Sequence, residues 1–114
     1  MQKERRSNKR IKISYYVSVV NAETYEQLGI LLEITTKGFL IDSQKILPID
    51  KPYRLRLDLT DENFEQPFIN FTAQAKWVRP DRMEPSFYNI GFEILELSEN
   101  DKKIVDLIME KYAA

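Results

Sequence analysis

The groups in this chain best suited to chemistry are three arginines near its start and three residues about two dozen positions later. Arg5, Arg6 and Arg10 stand in Arg5-Arg6-Ser7-Asn8-Lys9-Arg10, so that Arg6 and Arg10 are spaced Arg-x-x-x-Arg. A guanidinium forks onto phosphate oxygens and also stacks on flat purine rings. Glu33, Thr35 and Gly38 stand in Glu33-Ile34-Thr35-Thr36-Lys37-Gly38. A carboxylate and a hydroxyl on one face can take the donor edge of guanine and a phosphate oxygen. A glycine beside them holds a backbone angle that other residues avoid, or lets a ligand come close. Together the segments read as two halves of a site for a phosphate-bearing nucleotide. Each alone has a plainer reading: a solvated basic leader, and an ordinary edge strand with a turn glycine.

The elements that must position these groups follow from the hydrophobic pattern. Residues 1–10 hold no apolar residue after Met1 and are expected to form a flexible arm. From Ile11 the chain alternates: Ile11, Ile13, Tyr15, Val17 and Val19 face one way and the polar residues between them the other, which predicts a half-buried strand. Residues 21–29 read as a hairpin connection, although no tight-turn dipeptide marks it. Ile30–Ile34 and Phe39–Ile41 read as the next two strands. On the first of these, Glu33 and Thr35 share a face and Ile34 turns to the core. Tyr53, Leu55, Leu57 and Leu59 alternate after a proline-interrupted loop. Ile69, Phe71, Ala73, Ala75 and Trp77 give the clearest strand, its two alanines leaving room for something bulky. Tyr88, Ile90, Phe92 and Ile94 give the last. Ser98-Glu99-Asn100-Asp101 then matches a capping-box start. Ile104, Val105, Leu107, Ile108, Met109 and Tyr112 follow as one helical stripe of about four turns, too short to stand alone. The fold expected is all-β: a six-stranded antiparallel barrel over 11–114, with a C-terminal α-helix that can plug one end.

Composition narrows the function. A chain of 114 residues fits one domain. It has no cysteine and no histidine, which excludes disulfides, thiolate chemistry, zinc sites built on those residues and an imidazole base. No window approaches the roughly 18 apolar residues of a membrane helix, and the basic start lacks the apolar stretch of a secretory signal. No membrane insertion and a cytoplasmic location are expected. Lys3, Arg5, Arg6, Lys9, Arg10 and Lys12 face Glu4 alone, so the first 13 residues carry +5 and, in a chain of net −1, the remainder carries −6. A basic arm on an acidic body suits an anionic partner.

In order and spacing, these segments resemble the PilZ family. Its signature is an Arg-x-x-x-Arg arm before the first strand and an Asp/Asn-x-Ser-x-x-Gly segment two dozen residues on. Ala73-Gln74-Ala75-Lys76-Trp77-Val78-Arg79 is similar to the family's late strand, and Tyr88-Asn89-Ile90-Gly91-Phe92-Glu93-Ile94 to its closing strand. The resemblance implies a six-stranded barrel, a bacterial cytoplasmic role and binding of the second messenger cyclic di-GMP. By similarity, Arg6 and Arg10 contact phosphates and stack on guanine, Glu33 and Thr35 stand for the motif's acidic and hydroxyl residues, and Gly38 is its glycine. Arg5 precedes the first arginine, where the family tunes how many ligand copies bind. Glu33 and Thr35 each depart from the motif by one carbon, each weakening binding by roughly 1 kcal/mol.

The resulting expectation is a non-enzymatic receptor with no cofactor, whose arm closes over cyclic di-GMP and signals to an effector protein not identified by the sequence. The alternative is a PilZ-like interaction module that binds no nucleotide. Trp77, Tyr53 and Tyr88 alternate with polar residues and read as core or cross-strand packing rather than as a stacking platform, and binding of single-stranded nucleic acid through them and the arm is also disfavoured by the acidic body. Asp58, Asp61, Glu62 and Glu65 read as a solvated loop rather than a cation site. Oligomeric state is not legible.

Overall fold

Residues 11–12, 16–59, 64 and 66–111 are described by the structure, a computed structural model; for 11–12 the description is of the backbone alone. Alternation becomes strand where the apolar half finds cover. Val17 and Val19, Leu55, Leu57 and Leu59, and Ile69, Phe71, Ala73 and Ala75 are all buried, while the residues between them are half-buried. The strands are β1 (Ile11–Lys12), β2 (Ser18–Asn21), β3 (Gln27–Ile34), β4 (Gly38–Ser43), β5 (Pro52–Asp58), β6 (Phe68–Pro80) and β7 (Tyr88–Glu96). Strands β2, β3, β4, β7, β6 and β5 pair antiparallel in that order, and β5 pairs back onto β2. Six strands therefore close a barrel, as expected.

The first strand differs from its expected form. It was to run unbroken from Ile11, but β1 and β2 are separate pieces on one edge of β3. Lys12 lies opposite Glu33 and Ser18 opposite Ile30, so six steps on one side face three on the other. One continuous ladder cannot absorb that mismatch. The β2–β3 connection is also shorter than expected, because β3 begins at Gln27. Asn21 makes this turn: its Oδ1 accepts from the amides of Glu23 (2.8 Å) and Thr24 (3.1 Å). Tyr25 completes it in the left-handed region, at φ 64°. The turn thus uses an Asn side chain and a strained tyrosine where a glycine dipeptide would be the usual signal.

The barrel interior centres on aromatic rings. Phe39 stacks on Phe92 with centroids 4.8 Å apart and meets Phe71 edge-on at 5.6 Å. Ala75 lies opposite Phe92 and Ala73 opposite Tyr53, which is the bulk that the two alanines accommodate. Each large apolar side chain buried here contributes roughly 1.5–3 kcal/mol. Helix α1 (Glu99–Lys111) starts where the capping pattern predicts: the Ser98 hydroxyl accepts from the Asp101 amide at 3.1 Å. Its Ile104, Val105 and Ile108 join the barrel core, whereas Leu107 is exposed. Tyr112, placed on the same stripe by the sequence, lies outside the described residues.

Candidate functional site

Arg5, Arg6 and Arg10 lie outside the described residues. What is described is where the chain emerging from them enters the fold. Ile11 pairs with Ile34 and Lys12 with Glu33. The arm's attachment therefore lies beside the second motif, and Arg10 is two residues from the position opposite Glu33.

Glu33 is half-buried near the end of β3. The β3–β4 register shifts between Leu31 and Glu33, so Leu31 faces Ile41 in the core while Glu33 sits beside Leu40 on the outer wall. A bulge of this kind re-aims a side chain. A second one acts on β6. Alternation from Ile69 through Ala75 places Trp77 on the core face, and the sequence reading grouped it there. The register shift between Ala75 and Trp77 instead sets Trp77 opposite Gly91 on the outer wall and leaves Val78 to pack on the core. One outer row thus runs across β1, β3, β4, β7 and β6: Lys12, Glu33, Leu40, Gly91, Trp77.

Trp77 lies flat against Gly91. A β-carbon at position 91 would stand 2.3 Å from the indole Cε2. On the ring sits the Arg79 guanidinium, 4.4 Å from the centroid. The adjacent outer row is Ile30, Asp42, Asn89, Arg79. Asn89 Nδ2 donates to Asp42 (3.3 Å) and to Asp81 (3.1 Å). Burial, then the nearby charges of Asp81 and Glu84, raise the Asp42 carboxyl above its usual range. The Asp81 carboxyl is lowered, chiefly because it accepts from the Glu84 and Met83 amides.

Thr35 does not share an outer face with Glu33. Strand β3 ends at Ile34, so alternation no longer governs Thr35, and its side chain is buried at 6 % exposure. Its Oγ1 accepts from the amides of Lys37 (3.0 Å) and Gly38 (3.3 Å), and its own amide donates to the Gly38 carbonyl at 2.9 Å. The hydroxyl shapes the β3–β4 turn. Gly38 has no positive φ. A β-carbon there would stand 2.5 Å from the Phe92 carbonyl oxygen, so the close approach it permits is that of β7.

The three proposed platform aromatics are not brought together. Tyr53 packs on the core, its hydroxyl donating to the Pro48 carbonyl at 3.1 Å and its phenol raised by burial, and Tyr88 also packs on the core. Of the acidic loop, Asp61, Glu62 and Glu65 lie outside the described residues, and Asp58 pairs with Arg56 at 2.8 Å. Sequence reasoning missed Leu40, Gly91 and Arg79 as members of the outer wall beside Glu33. The only signal for them was the offset of each within its own strand.

Comparison with known proteins identifies the setting. The PilZ domain family matches residues 4–110. Among solved structures, the Bacillus subtilis inhibitor of motility (MotI/DgrA) superposes with a TM-score of 0.75 at 14 % identity, covering 96 % of this chain and 52 % of that one. This chain thus spans about half the length of that relative. The PilZ domain of YcgR from Escherichia coli, solved with c-di-GMP, superposes with a TM-score of 0.69 at 14 % identity, covering 96 % of this chain and 92 % of the other. No curated protein matches the chain.

Proposed function

This chain belongs to the PilZ domain family, and on that premise we propose that it is a receptor for cyclic di-GMP that signals to a partner protein through its N-terminal arm. The observation that carries the reading is the register of β1. Pairing of Lys12 with Glu33 seats the chain that follows the arginine segment beside the acidic motif, and this supports a site built from both segments. In this reading Arg6 and Arg10 fork onto phosphate and stack on guanine, while Arg5 adds a guanidinium that favours a stacked pair of ligands. Glu33 takes the donor edge of guanine. The turn built on Thr35 and Gly38 fixes the backbone beside it, and Thr35 acts through that turn. Ordering the arm costs entropy, offset by charge-assisted contacts to phosphate, and the closed arm changes the surface offered to a partner. The chain acts by binding, and a cytoplasmic location follows from the ligand.

A second reading is favoured by Thr35 itself. Its hydroxyl is buried and accepts two backbone amides, so a PilZ-like module that contacts proteins without nucleotide is the alternative. Isothermal titration of cyclic di-GMP into the wild type and Arg6→Ala separates the two. Heat from the wild type alone, with both proteins folded, supports the receptor, and the stoichiometry reports on Arg5. No heat from either, with amide resonances unchanged, supports the interaction module. Loss of folding in Arg6→Ala makes the arm structural.

A further inference from the structure

A cavity of about 200 Å³ opens at the barrel end opposite the β3–β4 turn, where the start of β3, the end of β4 and the approach to β7 meet. Tyr16, Ile30, Asp42, Gln44, Lys45 and Phe87 are among the residues that line it. Pockets that enclose a whole small molecule hold roughly 300–1,000 Å³. This one is smaller and suits a single long side chain. Its charge is one-sided. Lys45 is held by Glu26. Asp42 is half-buried and accepts from the neutral Asn89 amide at 3.3 Å, and among the described residues no cation pairs with it. Asp81 and Glu84 add negative charge from the β6–β7 connection and help to raise the Asp42 carboxyl. A carboxylate that lacks a counter-charge in a partly closed cavity favours entry of a cation.

The surroundings of the cavity are apolar. Tyr16 lines it, Ile46 follows Lys45, and Met83 stands on the connection that carries Phe87; all three are exposed. Two of these groups are fixed in place. The Tyr16 hydroxyl accepts from Gln27 Nε2 at 3.1 Å. The β6–β7 connection is pinned by Asp81, whose Oδ2 accepts from the Met83 and Glu84 amides and whose own amide donates to the Phe87 carbonyl at 2.9 Å. A notch that takes one anchor, with apolar groups around it to exclude water, is the usual anatomy of an energetically dominant protein contact. We propose that this notch is a docking point for a partner protein, which inserts one basic side chain from an apolar segment: the cation meets Asp42, and its neighbours rest on Tyr16, Ile46 and Met83. The inference rests on what both readings above share, contact with a protein.

Amide resonances of the full chain, titrated with three probes, test this. The probes are the capped tripeptide leucyl-arginyl-leucine, its citrulline counterpart, whose neutral urea replaces the guanidinium, and free arginine. The arginine peptide is expected to shift the resonances of Ile30, Asp42 and Gln44 and to bind roughly tenfold tighter than the citrulline peptide, the worth of one charge-assisted hydrogen bond. That comparison needs no variant. Asp42→Asn should erase the preference, whereas Asp106→Asn, which removes an exposed carboxylate from α1, should keep it. Met83→Ser should weaken both peptides alike. Equal binding of the two peptides by the wild type, or shifts that spare the cavity, overturns the proposal. So does an equal loss in Asp106→Asn, because the attraction is then that of the acidic body as a whole. Free arginine binding as tightly as the peptide also overturns it, since the notch is then a site for a small cation and not for a protein. Cyclic di-GMP titrated in parallel reports on the receptor reading alone: its failure to bind, with the arginine peptide still preferred, removes the receptor and leaves this docking point standing.

Discussion

Gly38→Ala is the sharpest probe of how the motif is built, because the glycine's neighbour is backbone. The added carbon would stand 2.5 Å from the Phe92 carbonyl oxygen. Ordinary C···O approaches are roughly 3.3–3.6 Å, so about 1 Å must be found. No flexible side chain can give way. Relief requires β4 to move from β7 at the pair Gly38–Glu93, next to the stacked Phe39 and Phe92 and to the 2.8 Å bond from the Ile94 amide to the Lys37 carbonyl. Overpacking of this kind costs about 1–3 kcal/mol. Because Gly38 has no positive φ, alanine also restricts the unfolded chain, which returns about 0.4–1 kcal/mol. The net loss is about 1–2 kcal/mol, a fall in Tm of roughly 5–10 °C for a domain of this size. Thermal unfolding followed by circular dichroism measures it. A Gly38→Ala protein that melts with or above the wild type refutes the argument that β7 backbone, rather than ligand, dictates this glycine.

Two further outcomes test other parts of the wall. In Gly91→Ala the obstacle is the Trp77 ring, which can swing away, so the melting loss should be smaller than for Gly38→Ala, and emission of this sole tryptophan should shift to the red. Asp42→Asn should stabilise the fold at neutral pH: the folded-state pKa of Asp42 is raised, so its charge disfavours folding above that value and the penalty vanishes below the unfolded pKa. The difference in urea midpoint between Asp42→Asn and wild type should therefore shrink as the pH falls through the carboxylate range, and a difference independent of pH contradicts the assignment.

The strands and helix were legible because their signals are local. Alternation in Leu55–Leu59 and Ile69–Ala75 and the serine at 98 state their roles within a few residues. The β2–β3 turn was not legible, because Asn21 performs through a side chain what a glycine dipeptide would announce. The site was legible in its parts and not in its assembly. Glu33 was placed outward correctly, but alternation alone cannot locate a bulge, and a single shift moved Trp77 from core to wall. Thr35 was misplaced because the strand ends one residue before it. Leu40, Gly91 and Arg79 join the wall only through register, which depends on pairings between strands far apart in sequence.

The closed ring of six strands has a consequence for local and global opening of the fold. β1 contributes two register pairs and no part of the closure, so its contacts with Glu33 and Ile34 can break and re-form by local fraying while the amides of β5, β6 and β7 exchange only through far rarer openings. In native-state hydrogen exchange the two regions should behave as separate cooperative units, with a ligand that engages the arm slowing exchange at Ile34 far more than at Phe71. In the proposed receptor, the threshold for engaging the arm and the durability of the scaffold can then be set independently, since substitutions tuning one leave the other's free energy almost untouched.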